Sequence, residues 1–104
     1  MSTDFIVEVK KFKQKDGVFY FFKKGGQYYA TEHEAEIIAS RYLRSYGSLK
    51  ETTTGVHFVQ IMEQMYISLL RDLLLYDRKS IELYEFDINT WKKAYEASPG
   101  NISS

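Results

Sequence analysis

The stretch Val56 to Tyr76, VHFVQIMEQMYISLLRDLLLY, constrains this chain more than any other. Fourteen of its 21 residues are apolar or tyrosine. At about 100° per residue, Phe58, Met62, Met65, Tyr66, Leu69 and Leu73 share one continuous apolar arc. The spacing predicts one long central helix over 56–76. His57, Gln60, Glu63, Gln64, Ser68, Arg71 and Asp72 take the other half, but Ile61, Ile67, Leu74 and Leu75 intrude into it. A helix resting on one sheet needs a single apolar stripe. This one carries more, so it is either buried centrally or meets a second surface.

A chain of 104 residues is one domain's worth, long enough for a core without disulfides or metal. Cysteine is absent, which excludes a disulfide framework, a thiolate zinc site and a cysteine nucleophile, and fits a reducing, cytoplasmic setting. MSTDFIVEVKKF lacks the basic and apolar regions of a secretory leader. Glu63, Arg71 and Asp72 break the long apolar stretch short of the ~20 residues a membrane crossing needs. Net charge is zero, which argues against a protein that coats nucleic acid non-specifically. The charge is uneven, however: residues 1–50 hold nine Lys/Arg against six Asp/Glu, and 51–104 hold five against eight.

Read in order, residues 5–12 alternate as a strand, with Phe5, Val7 and Val9 to one face. Asp16-Gly17 signals a hairpin turn. The strand that follows, 18–22, is apolar on both faces and belongs at the centre of a sheet. Lys23-Lys24-Gly25-Gly26 turns the chain into a third strand at 27–30, giving a three-stranded antiparallel meander. Thr31 and Glu34 form a capping box opening a helix over 32–46, whose stripe is Ala35, Ile38, Ala39, Tyr42 and Tyr46, with Gly47 as its stop. A polar connection, 48–55, offers Thr53 or Thr54 as a cap for the central helix. Residues 80–86 read as a short strand, with a continued helix as the alternative. Asp87 caps a last helix over 88–97 with Ile88, Trp91 and Tyr95 as its stripe, and 100–104 is a frayed tail. The expected fold is a single α+β domain.

Motifs of catalysis are missing: the chain has no G-x-S-x-G, no Walker loop and no dinucleotide glycine pattern. Gly25-Gly26 joins two strands rather than opening a helix, so it reads as a turn and not as a phosphate cradle. His33 finds Glu36 and Ile37 at helical spacing, which is no metal set, and His57 reads as a surface or capping group. Glu82, Glu85, Asp87, Asp72 and Asp77 are explained as solvated charge plus a cap. No enzyme activity, cofactor, metal or small-molecule substrate is expected.

Lysines 10, 11, 13, 15, 23 and 24 flank both turns, interleaved with Phe12, Tyr20, Phe22, Tyr28 and Tyr29. In order and spacing, residues 5–46 (strand, turn, strand, KKGG turn, strand, T-x-x-E-A helix) resemble the AP2 and integrase arm-type DNA-binding domains. The resemblance implies a sheet laid into the major groove and braced by one helix. Arginine, the favoured reader of guanine edges, is missing from these strands, which leaves lysine contacts to phosphate. The same lysines also serve as solvated turn and edge residues that discourage aggregation.

Two readings follow. The first is a non-enzymatic protein–protein module, an accessory, inhibitor or adaptor of the kind common in viruses and mobile elements, docking a partner or a second copy through Ile61, Ile67, Leu74 and Leu75. Exposed together, they would leave several kcal/mol of burial unused at about 25 cal/mol per Å². Coverage by Ile81, Leu83, Trp91 and Tyr95 of the same chain is the intramolecular alternative. The second is a DNA- or RNA-binding module using Lys10, Lys11, Lys13, Lys15, Lys23, Lys24 and Tyr20.

Overall fold

A computed structural model describes residues 4–43 and 48–99, and the backbone of 101–102. Helix α1 (Asp4–Glu8) continues as a 3-10 turn over Val9–Phe12. Strands β1 (Val18–Lys24) and β2 (Gln27–Thr31) follow, then helix α2 (Glu32–Ile37), which widens into a π-helical turn over Ile38–Tyr42. After β3 (Lys50–Glu51) and β4 (His57–Ile61) comes helix α3 (Glu63–Arg71), with a π-helical extension over Asp72–Tyr76. Strands β5 (Ser80–Asp87), β6 (Thr90–Ser98) and β7 (Asn101–Ile102) finish the described chain. All seven strands form one sheet in the order β3-β4-β2-β1-β5-β6-β7. β1 and β5 pair parallel, Val18 opposite Ser80 through Lys23 opposite Glu85, and the other pairs are antiparallel.

Because β1 alternates bulky apolar residues on both sides, the sheet needs cover on both. Phe19 and Phe21 face a core made with Ala35, Ile38 and Ala39 of α2 and Tyr66, Leu69 and Leu73 of the α3 unit. Tyr20 and Phe22 face a second core with Phe5, Ile6 and Val9 of the N-terminal unit, joined by Tyr29, Phe58 and Trp91. The placement of 18–22 at the centre of a sheet and the strand over 80–86 both hold, and the chain is an α+β domain.

Four expectations are overturned. Residues 5–12 are helical rather than a strand: Phe5, Ile6 and Val9 are buried at i, i+1 and i+4, whereas Val7, which alternation would turn inward, is 46% exposed. The meander loses its first strand, and with it the AP2-like outline; the outer neighbours of the β1–β2 hairpin are β4 and β5. Asp16-Gly17 accordingly turns the chain from the helical unit into β1, with Gly17 at φ 76°. The long helix over 56–76 is a strand followed by a helix. Val59 and Ile61 point into the core under the helices, and Phe58 into the other one. Mixed periods of 2 and 3.6 run together in the sequence and imitate a helix with too many apolar faces. The C-terminal helix over 88–97 is β6. Its register shifts opposite Leu83 and Tyr84, where Lys93 pairs with Tyr84 and Tyr95 with Leu83, leaving Ala94 as the extra residue. That bulge moves Trp91 and Tyr95 to opposite faces of the sheet, a phase change that a helical spacing mimics.

Smaller differences concern helix ends. α2 begins where expected, and its described part runs through Tyr42, while Tyr46 and Gly47 lie outside the described residues. Thr31 makes no side-chain cap, and neither Thr53 nor Thr54 caps α3, which starts after an extended Met62 (φ −74°, ψ 157°). Asn101–Ile102 pairs with β6, and 103–104 lie outside the described residues.

An ammonium takes the place of the expected capping box. Lys13 Nζ lies 2.9 Å from Glu34 Oε1 and 3.5 Å from Glu32 Oε1, and donates to Thr31 O at 3.0 Å and Thr31 Oγ1 at 3.2 Å. Its side chain is 12% exposed, so this contact pins the N-terminal unit to the start of α2. Lys13→Met leaves Glu34 without its cation, and we expect a loss of about 2–4 kcal/mol in urea unfolding. A loss under about 0.5 kcal/mol would show the contact to be incidental.

Candidate nucleic-acid interface

The six lysines and Tyr20 do not form one patch. Lys13 and Tyr20 are internal: Lys13 is held as described, and Tyr20, 2% exposed, accepts a hydrogen bond from the Lys15 backbone N–H at 3.0 Å. Lys15 reaches toward Glu82 at 3.4 Å, at the start of β1. Lys10 lies 3.8 Å from Glu32, and Lys11 sits 5.3 Å over the Phe12 ring. Lys23 and Lys24 lead into the β1–β2 turn. Lys23 lies 3.5 Å from Glu85 and 5.4 Å over Tyr28; Tyr28 raises its pKa above the ordinary lysine value, burial opposes this, and Glu85 adds to the rise. Lys24 rests over the rings of Phe5 and Phe86 at 4.8 and 4.7 Å.

Parallel pairing of β1 and β5 decides what sits beside what. The β1–β2 turn, Gly25-Gly26, shares one end of the sheet with the β5–β6 turn at 88–89. Both glycines have positive φ, 62° and 79°, and a Cβ at either would meet no neighbour, so this tip is bare backbone that another molecule can approach closely. At the opposite end, Lys13, Lys15, Lys79 and His33 border an open cleft of about 380 Å³ together with Asp16 and Glu34.

Three features escaped the sequence reading because strand order creates them. Glu82, expected from the sequence as solvated charge, is instead only 5% exposed, because β5 lies inside the sheet. It lies 3.4 Å from both Lys15 and Lys93 and accepts from the Tyr84 hydroxyl at 3.1 Å. Burial, then Glu82, pushes the Tyr84 phenol up. A small apolar groove, about 180 Å³, runs between Leu43, Gln60, Ile61, Met62 and Met65. Another cleft lies between the 3-10 turn and the β5–β6 hairpin.

The four apolar residues of the docking reading divide evenly. Ile61 and Leu74 are core residues at 2% and 7% exposed, while Ile67 and Leu75 are 59% and 57% exposed. Met62, Met65 and Tyr76 are exposed as well. Tyr95, Ile81 and Leu83 pack in the helix-side core with Leu74, and Trp91 lies in the other core. Among the described residues no three His, Cys, Asp or Glu side chains converge as a metal site, and no helix is long and apolar enough to cross a membrane.

No protein-family model matches the chain. Among curated proteins it is similar to the DNA mismatch repair protein MSH2 of Arabidopsis thaliana, 32% identical over 88 residues. The match takes in 81% of this chain and 9% of that protein. The chain therefore spans a small part of a much longer relative.

His57 links elements around the sheet's β3 edge. Its Nδ1 lies 3.0 Å from Glu36 Oε2 on α2, and its Nε2 3.0 Å from Glu51 Oε1 on β3. The Glu36 hydrogen bond raises the imidazole pKa above its ordinary value; burial opposes it, and Glu51 adds to the rise. A raised folded-state pKa stabilises below the unfolded value, about 6.5, and the benefit fades as pH rises through the folded value. We expect His57→Gln to lower the melting temperature more at pH 5.5 than at pH 8.5. Equal losses at both would refute the linkage.

Proposed function

We propose that this chain is a DNA-binding domain of mismatch-repair type, working as one part of a larger repair machinery. The observation that carries this reading is the 32% identity over 88 residues with a DNA mismatch repair protein. The surface is compatible with it: Lys10, Lys11, Lys15, Lys23 and Lys24 keep their ammonium groups near the surface, and the Gly25-Gly26 tip is open to close approach. With no arginine on these strands, the contacts offered are to phosphates, which position a duplex without reading its bases.

A short DNA duplex should bind at about 50 mM salt, with affinity falling steeply toward 200 mM. Replacing Lys10, Lys23 and Lys24 by Gln should each reduce the slope of log affinity against log salt by about 1. Lys13→Gln should act on stability instead. Absence of any duplex binding at low salt refutes the proposal.

A second reading rests on the exposure of Ile67 and Leu75 at 59% and 57%. Together with Met62, Met65 and Tyr76 they offer an apolar surface to a neighbouring protein. Leu75→Glu should leave the melting temperature within a few degrees of the parent and abolish any concentration-dependent mass. A parent chain of constant monomer mass at all concentrations would remove self-association through this face.

A further inference from the structure

Between the Val9–Phe12 turn and the β5–β6 hairpin lies a cleft of about 330 Å³, bordered by Glu8, Lys11, Phe12, Asn89, Thr90 and Trp91. Three observations on its lining residues and their chain neighbour are left unexplained by packing. Trp91 belongs to the core on the α1 side, edge-on to Phe22 at 5.9 Å, yet its Nε1 is buried with no acceptor. A buried N–H in that state is costly, and Trp91 is one of the residues that border the cleft. Lys11 has no carboxylate partner among the described residues, and its ammonium rests only on the Phe12 ring. Ile88, the chain neighbour of the bordering Asn89, is 85% exposed and has φ 60°. That region is strained for a β-branched side chain, and a two-residue hairpin loop favours Asn, Asp or Gly there. The turn and the solvent both disfavour isoleucine, so its use lies elsewhere.

We propose that this cleft seats one phosphodiester group of a nucleic-acid strand, with Lys11 at the phosphate oxygens and Ile88 against the adjoining sugar or base. The inference rests on the DNA-binding reading and names a contact for it. A nucleotide unit carries an anion next to an apolar surface; Lys11 borders the cleft, and the exposed Ile88 is the chain neighbour of Asn89, which also borders it. A free inorganic anion has nothing to offer Ile88. Asn89 and Thr90 supply neutral polar groups at the rim. Glu8 is the one carboxylate on the border, opposing the anion and tempering its affinity; Asp87 nearby is taken up by Lys92 at 3.1 Å.

Trp91 is the sole tryptophan of the chain, so intrinsic fluorescence reports on this cleft directly. Titrating a short DNA duplex at about 50 mM salt should change that emission, with a midpoint equal to the Kd from anisotropy of a labelled duplex. Lys11→Gln should weaken binding about threefold to tenfold and lower the salt slope by about 1, and Glu8→Gln should strengthen it severalfold. Ile88→Asn should weaken binding while the melting temperature holds or rises, because the turn strain is relieved. Binding without a change in Trp91 emission, and with Lys11→Gln and Glu8→Gln equal to the parent, overturns the cleft as a contact while leaving DNA binding intact. Inorganic phosphate alone reproducing the emission change makes it a simple anion site and overturns the nucleic-acid assignment. No duplex binding by any readout removes the functional reading as well.

Discussion

Everything in this fold depends on β1 being apolar on both faces at once. Phe19 and Phe21 need one core and Tyr20 and Phe22 another, and each buried ring contributes about 1.5–3 kcal/mol that an exposed position would forfeit. A strand of this kind cannot lie at the edge of a sheet or under a single layer. Its partner on one side is β2, and on the other it is β5, reached only after the chain has built α2, β4 and α3. Parallel pairing demands such a crossover, and the crossover's helices are what cover one face. The other face is closed by the N-terminal helical unit through Phe5, Ile6 and Val9.

Electrostatics then tighten the joints between layers. Lys13 bonds to the β2–α2 junction, Glu82 gathers Lys15, Lys93 and Tyr84 beside the sheet centre, and His57 ties α2 to the β3 edge. These contacts sort the charged residues into those consumed by the fold and those left to face solvent. Lys13 and Lys11 are near neighbours in sequence, but one ammonium is enclosed by carboxylates and the other lies over a ring.

The chain is similar to a small part of a mismatch repair protein, and its fold leaves lysine, glycine and an exposed isoleucine at the surface. Two hairpin tips share one end of the sheet because β1 and β5 run the same way. Under the DNA-binding proposal, the accessible lysines would hold a polyanion by separate weak, salt-sensitive contacts and position it without reading its bases. The apolar excess of the long central stretch, by contrast, is mostly absorbed: Ile61 and Leu74 are inside, and only Ile67 and Leu75 of the four are turned outward.

From the sequence alone came the parts governed by neighbours along the chain. The β1–β2 hairpin about Gly25-Gly26, the centrality of 18–22, the start of α2 and the strand at 80–86 all follow from turn residues and alternation within a few positions. Of the site, the lysines and the bare glycine turn were legible, but not which lysines remain accessible. Tertiary structure decided the rest, because the same apolar spacing serves a helix or a strand until a partner surface selects one. Val59 and Ile61 were drawn into a strand by β2, Trp91 and Tyr95 were set on opposite faces by a bulge at Ala94, and Phe5 and Ile6 were folded into a helix by the face of the sheet they had to cover. The Trp91 cleft likewise exists only because residues some eighty positions apart meet there, a juxtaposition no local pattern encodes.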